Sequence, residues 1–284
     1  MAVFYSYGLD IGGKNGTILS QIEVTSSSIV LKSIGTIKSL DTIDKIFKEN
    51  RNNATSCLVI DAPLSYQIEV ENGKRQIDQF YQDILNDYEK VKNEHPEKWV
   101  VSCHSLMAVP IKGIWAARLA ANNNLKVLET HPRVFLYALI NKIAREKINL
   151  VFDYKNNIYQ NKSSRKKSVK KFQKELWEIL VAQSNLRVPE DVDISVINDD
   201  HIDSLVCALA GVSVILHSSP EKYALNADKS FFKNIKEFKG WTDVQSLIGK
   251  AGSVLQYCDD ELASVSVLER QIQIKSLKIK TQPG

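Results

Sequence analysis

The stretch VFYSYGLDIGGKNGTILSQIEV, Val3 to Val24, decides the reading of the fold. An apolar, aromatic run ends on one aspartate, Asp10, falls into Gly12, Gly13 and Gly16, and resumes as a second apolar run. Glycine tolerates positive φ and close backbone approach, so the pattern predicts a strand that ends at Asp10 and turns tightly. Taken alone, Asp10 is equally well read as the cap of a glycine turn. What separates that reading from a functional one is whether other carboxylates end strands nearby.

Outward from this stretch, residues 3–10, 16–24 and 28–37 are partly alternating and separated by short Gly, Asn or Ser clusters, which predicts three consecutive strands joined by hairpins. A short helix, LDTIDKIFKEN, follows, and then SCLVIDAP, a buried strand that ends on Asp61 and is broken by Pro63. Ile77, Phe80, Tyr81, Ile84, Leu85, Tyr88 and Val91 keep helical spacing, predicting an amphipathic helix over 73–91. Residues 92–112 read as irregular, GIWAARLAANN as a helix, and LKVLE as another buried strand ending in an acid, Glu129. Thr130 and Pro132 suit the cap and first turn of a helix over PRVFLYALINKIA.

After the polar connection YKNNIYQNKSS, a helix with Val169, Phe172, Leu176, Ile179 and Leu180 on its apolar face turns Lys166, Lys167, Lys170, Lys171 and Lys174 largely outward. The segment NDDHIDSLVCALAGVSVILH is a nearly all-apolar helix with acids only in its first turns. Beyond it the pattern weakens to a helix near 242–250 and a polar tail. The order β-β-β-α-β, then helices, a strand and more helices, predicts an α/β domain in which an antiparallel meander lies beside parallel strands, with helices on the faces. We divide the chain into a domain over 1–217 and a C-terminal extension over 218–284.

Composition narrows the function classes. A chain of 284 residues, 44% apolar and 25% charged, has enough apolar side chain for a full core. It carries neither a signal-peptide pattern nor the roughly 18 uninterrupted apolar residues of a membrane span, so a cytoplasmic protein is expected. Cys57, Cys103, Cys207 and Cys258 stand far apart and form no C-x-x-C pair, which argues for buried thiols and against a disulfide framework or a zinc ribbon. The net charge of +4 says little, but KSSRKKSVKKFQK, Lys162 to Lys174, holds seven basic residues and no acid. Such a run is either a solvated helix face or a surface for phosphates. Trp99, Trp115, Trp177 and Trp241 have no spacing of a base-stacking platform and are read as core.

Neighbouring strands in a sheet lie about 4.8 Å apart, so acids ending the first, fourth and fifth strands can share one edge. Asp200 and Asp203 are three residues apart and share a helix face. Five acids, Asp10, Asp61, Glu129, Asp200 and Asp203, would then repel one another strongly unless a cation intervened. Oxygen ligands without His or Cys favour Mg2+ or Mn2+ over zinc, and two such ions about 4 Å apart serve phosphodiester hydrolysis. Each acid also has a plainer reading. Asp199 or Asp200 suits an N-cap, Glu129 suits a pair with Arg75 or Arg133, and His131 and His201 suit structural hydrogen bonds. Asp203 resists such a reading, because an unpaired carboxylate inside an apolar helix needs a partner such as a metal or Arg.

Together GLDIGGKNG, VIDAPLS, GKRQID, GIWAARLA, LETHP and DDHIDSLVCALAG resemble the domain-of-unknown-function 429 family of predicted RNase H-like nucleases, over residues 3–215. The resemblance implies an RNase H-like five-stranded mixed sheet whose first three strands are antiparallel, flanked by helices, with a metal site at its edge. It carries the superfamily acids onto Asp10, Asp61, Asp200 and Asp203, an E-x-H-P motif onto Glu129, His131 and Pro132, and an R-x-x-D motif onto Arg75 and Asp78. The function expected is a metal-dependent nuclease acting on DNA or RNA, with Asp10, Asp61, Asp200 and Asp203 as metal ligands, Glu129 as a further catalytic acid, and Lys166, Lys167, Lys170, Lys171 and Arg75 binding the nucleic acid.

Two rivals stand beside it. GLDIGG also resembles the first phosphate loop of sugar kinases of the actin and hexokinase class, although the chain lacks their second Asp-Gly motif and their length. The other rival is a nucleic-acid or partner-binding module with an idle acidic site.

Overall fold

A computed structural model of the chain describes residues 3–12, 16–50, 56–64, 78, 108–143, 145–155 and 162–218. The elements are β1 (Phe4–Ile11), β2 (Thr17–Val24), β3 (Ile29–Ile37), α1 (Leu40–Glu49), β4 (Cys57–Asp61), α2 (Ala108–Asn122), β5 (Lys126–Glu129), α3 (Pro132–Ile143), α4 (Leu150–Asp153), α5 (Lys162–Ser184), β6 (Leu186–Arg187) and α6 (Asp199–Ser218). The fold is α/β, a six-stranded mixed sheet in the order β5-β4-β1-β2-β3-β6 with helices on both faces. β1, β2 and β3 form the antiparallel meander, and β4 and β5 join it in parallel on the β1 side. The expected five strands are six, because Leu186 and Arg187 add a two-residue parallel strand beside β3. Two residues carry too little periodicity to announce a strand.

Period-two alternation along β1 sorts its side chains. Tyr7, Leu9 and Ile11 enter a cluster with Ile43 and Phe47 of α1 and Ala116, Ala117 and Ala120 of α2. Phe4, on the other face, enters the larger cluster with α6, behind which α3, α4 and α5 pack around the buried Trp177. Gly8 shares that face and explains how close α6 lies. A Cβ on Gly8 would stand 2.0 Å from the Ser204 carbonyl oxygen, so no side chain fits there. The Ser204 hydroxyl donates to the Gly8 carbonyl at 2.8 Å, and the Ser6 hydroxyl donates to the Ala208 carbonyl at 2.6 Å.

α2 begins five residues before the expected start, since the sequence reads as irregular up to Pro110 and Gly113. Pro110 is the third residue of the helix, where a backbone N–H has no intrahelical acceptor to lose. Trp115 is 56% exposed and not in the core, because α2 turns Ala116, Ala117 and Ala120 to the sheet instead. Cys57 and Cys207 are buried free thiols, as their apolar neighbours predict. Of the helix expected over 73–91 only Asp78, which is helical, is described. Residues 156–161 of the polar connection, Trp99, Trp241, Cys103, Cys258 and the extension beyond Ser218 lie outside the described residues. Among the described residues no helix is long and apolar enough to cross a membrane.

Candidate active site

β1 and β4 run in parallel with Asp10 and Asp61 in register as their last paired residues. Register partners on adjacent parallel strands point to the same face, so the two carboxylates stand side by side at one strand spacing. That face is the one on which α6 lies, and α6 brings Asp203 across the end of β1. Burial above all, then the charges of Asp203 and Asp61, push the Asp10 carboxyl well above the ordinary carboxylate range, with Lys155 opposing. Burial and then Asp203 push Asp61 up to about 7, against the pull of Lys155 and Arg133. Asp200 adds to the field on Asp10 more weakly.

The convergence follows from the local sequence. β4 is apolar up to Ile60, and Asp61 falls where the strand meets Pro63 and cannot continue. α6 is capped by Asn198, whose side-chain oxygen accepts the His201 N–H at 3.0 Å. Neither Asp199 nor Asp200 therefore serves as the cap, contrary to the plainer reading of these acids. Asp199 is raised by burial and then by Asp200, so the helix start adds negative charge to the same end of the sheet.

Asp203 is 1% exposed, and its partner is neither an arginine nor, among protein groups, another acid. The Tyr154 hydroxyl donates to its Oδ1 at 2.5 Å, and the Lys155 ammonium forms an ion pair with its Oδ2. These two residues are the ones sequence reasoning missed. They close α4 and open the polar connection, and no spacing relates them to an acid some fifty positions later. Only the packing of α4 against α3 and α5, and of those two helices against α6, brings them there.

Glu129 sits differently. It pairs in register with Ile60, which pairs with Leu9, so the alternation directs it to the α1–α2 face and away from Asp10 and Asp61. Its Oε2 accepts the backbone N–H of Leu64 at 2.8 Å, which ties β5 to the segment following β4. It still contributes to the field on Asp61. His131 precedes α3 and its carbonyl accepts the Phe135 N–H. His201 is partly buried beside Asn198, and burial followed by Lys170 lowers its pKa, which keeps the imidazole neutral near pH 7.

Of the basic candidates, Lys170 and Lys171 are exposed on α5, and the Lys170 ammonium donates to the Ile197 carbonyl at 2.7 Å, tying α5 to the start of α6. The side chains of Lys166 and Lys167, and all of Arg75, lie outside the described residues. Asp78 is buried. A cavity of about 250 Å³ between β1, α1 and α2 opens on the opposite face, lined by Leu9, Ile11, Ile43 and Lys112 among others and by no carboxylate.

The all-oxygen donor chemistry of Asp10, Asp61 and Asp203 suits a hard divalent cation, and the raised pKa of Asp10 and of Asp61 shows that the protein leaves those two charges partly uncompensated. Among the described residues, however, no three acid, imidazole or thiol side chains stand in a ligating arrangement. Both oxygens of Asp203 are engaged, by Tyr154 and by Lys155. The chain matches no protein-family model, no curated protein and no solved structure.

Proposed function

We propose that the chain is an RNase H-like, divalent-metal-dependent nuclease that hydrolyses phosphodiester bonds of DNA or RNA. The observation that carries this reading is the register pair Asp10 and Asp61 at parallel strand ends, with Asp203 of α6 on the same face. Three antiparallel strands followed by two parallel ones, with a buried helix laid across them, support the finer fold. Asp10, Asp61 and Asp203 would hold Mg2+ or Mn2+, with Asp200 beside them. A bound ion would supply a more acidic attacking water and neutralise charge on the phosphodiester.

The residues themselves have defined work in this reading. Asp61, raised to about 7 in the metal-free chain, is partly protonated near neutral pH, so an ion that it holds must displace a proton there. Gly8 keeps α6, and with it Asp203, pressed onto the strand that carries Asp10. Lys170 and Lys171 on α5 present ammonium groups for nucleic-acid phosphates, a contact that weakens steeply with salt. Glu129 acts through the backbone, holding Leu64 and so the turn after Asp61.

A second reading is favoured by one observation. Asp203 is already satisfied by Tyr154 and Lys155, as expected of a nucleic-acid-binding module whose acidic site is idle. Labelled single-stranded, duplex and branched DNA and RNA, incubated with Mn2+ or with EDTA, separate the two. The nuclease reading expects metal-dependent cleavage that falls by a factor of about a thousand or more in Asp10→Ala and in Asp61→Ala, with folding intact. Binding without cleavage of any substrate, unchanged by Asp10→Ala, establishes the idle module instead.

A further inference from the structure

We infer that Lys155 is the resident counter-ion of the carboxylate group and that a divalent cation gains Asp203 only by exchange with its ammonium. The inference rests on the metal-dependent reading of the site. Its basis is geometric. Asp203 is buried, and its two oxygens are divided between the Tyr154 hydroxyl and the Lys155 ammonium. Tyr154 is fixed from two helices, because its N–H donates to the Leu150 carbonyl and its own carbonyl accepts from the Gln173 Nε2 at 2.9 Å. Lys155 is different in kind. Its side chain is 33% exposed while that of Asp203 is 2% exposed, so part of the lysine meets solvent even though the ammonium lies in desolvating surroundings beside the acid.

Lys155 also acts beyond its direct partner. It is a cation that opposes the raised pKa of Asp10, of Asp61 and of Asp199 alike. A lone buried carboxylate left beside Asp10 and Asp61 would be strongly destabilising. The ammonium removes that cost in the metal-free chain and holds α6 to the segment after α4. An ion entering the site brings charge of its own, which makes the ammonium redundant and repels it. Exposure of the lysine stem gives it somewhere to go. The conformation with Lys155 on Asp203 is closed to metal, so the apparent affinity is reduced by the fraction of molecules in which the acid is free.

The test is titration of the full chain with Mn2+ by calorimetry, alongside thermal unfolding with and without the ion, for wild type, Lys155→Met and Lys155→Arg. Exchange predicts that Lys155→Met binds Mn2+ about tenfold more tightly or better. The same variant melts lower than wild type without metal and recovers with saturating Mn2+, while Lys155→Arg stays near wild type in both. If Lys155→Met proves too unstable to titrate, Lys155→Met combined with Asp203→Asn removes the orphaned charge; recovered metal-free stability in that double variant supports the counter-ion role, and no recovery overturns it. Wild-type binding of Mn2+ with equal or weaker affinity in Lys155→Met overturns the exchange and leaves the metal site standing. Absence of Mn2+ binding in every variant overturns the metal reading, and the exchange falls with it.

Discussion

The two faces of the sheet at the end of β1 are built from alternate residues of one strand, yet they solve opposite problems. Leu9 and Ile11 enter an apolar cluster under α1 and α2, where removal from water stabilises the fold. Asp10, between them, faces α6 among Asp61, Asp203 and Asp200, where burial raises its pKa instead of stabilising its charge. On the apolar face small side chains of α2 fill space. On the acidic face the helix is drawn in by a missing side chain, Gly8, and by serine hydroxyls that bond main-chain carbonyls. The lesson is that an acidic group is held together here by backbone contact around it, and its members contribute repulsion.

Three substitutions break or sharpen that contrast. The largest effect is expected from Gly8→Ala, because the new methyl group meets the Ser204 carbonyl and the Ala208 backbone, neither of which can swing aside. Urea unfolding should show a loss of about 3 kcal/mol. A loss near zero would mean that α6 is not pressed onto β1 as described.

The next is Asp61→Asn, which removes a repelling charge and should raise metal-free stability by about 1–2 kcal/mol. Asp61 has a folded pKa of about 7, above its unfolded value near 4, so the folded state binds the extra proton between those limits. Its stabilisation is complete below the unfolded value and is lost as pH rises through about 7. Wild type in EDTA should therefore unfold at progressively lower urea as pH is raised from about 4 to about 7. The groups that set this window are Asp10, Asp203, Glu129, Lys155 and Arg133. Asp61→Asn should flatten the slope, and an equally steep slope in the variant would remove Asp61 as its source.

The smallest is Asn198→Ala, which deletes the cap at the start of α6 and should cost about 1 kcal/mol in the same assay. Capping by Asp199 or Asp200 would instead leave Asn198→Ala silent.

Much of this arrangement is legible along the chain. β-branched and aromatic runs, with glycine clusters between them, determine β1 to β3 to within a residue at each end, since hairpins depend on local turn chemistry. Asp10 and Asp61 at strand ends and Asp203 inside an apolar helix are visible because each violates the pattern around it. The two-residue β6 is not legible, and the early start of α2 is hidden by a proline that a first turn tolerates. Glu129 looks equivalent to Asp61 as an acid closing an apolar strand, but the one-residue offset of register between β4 and β5 turns it to the other face.

The sequence by itself determined which residues are apolar at period two or near four, and therefore which elements form and which charges stand out of place, because these depend on neighbours a few positions away. Only the tertiary structure decided that Gly8 is a docking point for α6, that Glu129 faces away from Asp10, and that Tyr154 and Lys155 close over Asp203. Those outcomes depend on strand register and helix packing across scores to hundreds of residues, and on the field of several charges at once, none of which is written in any short segment.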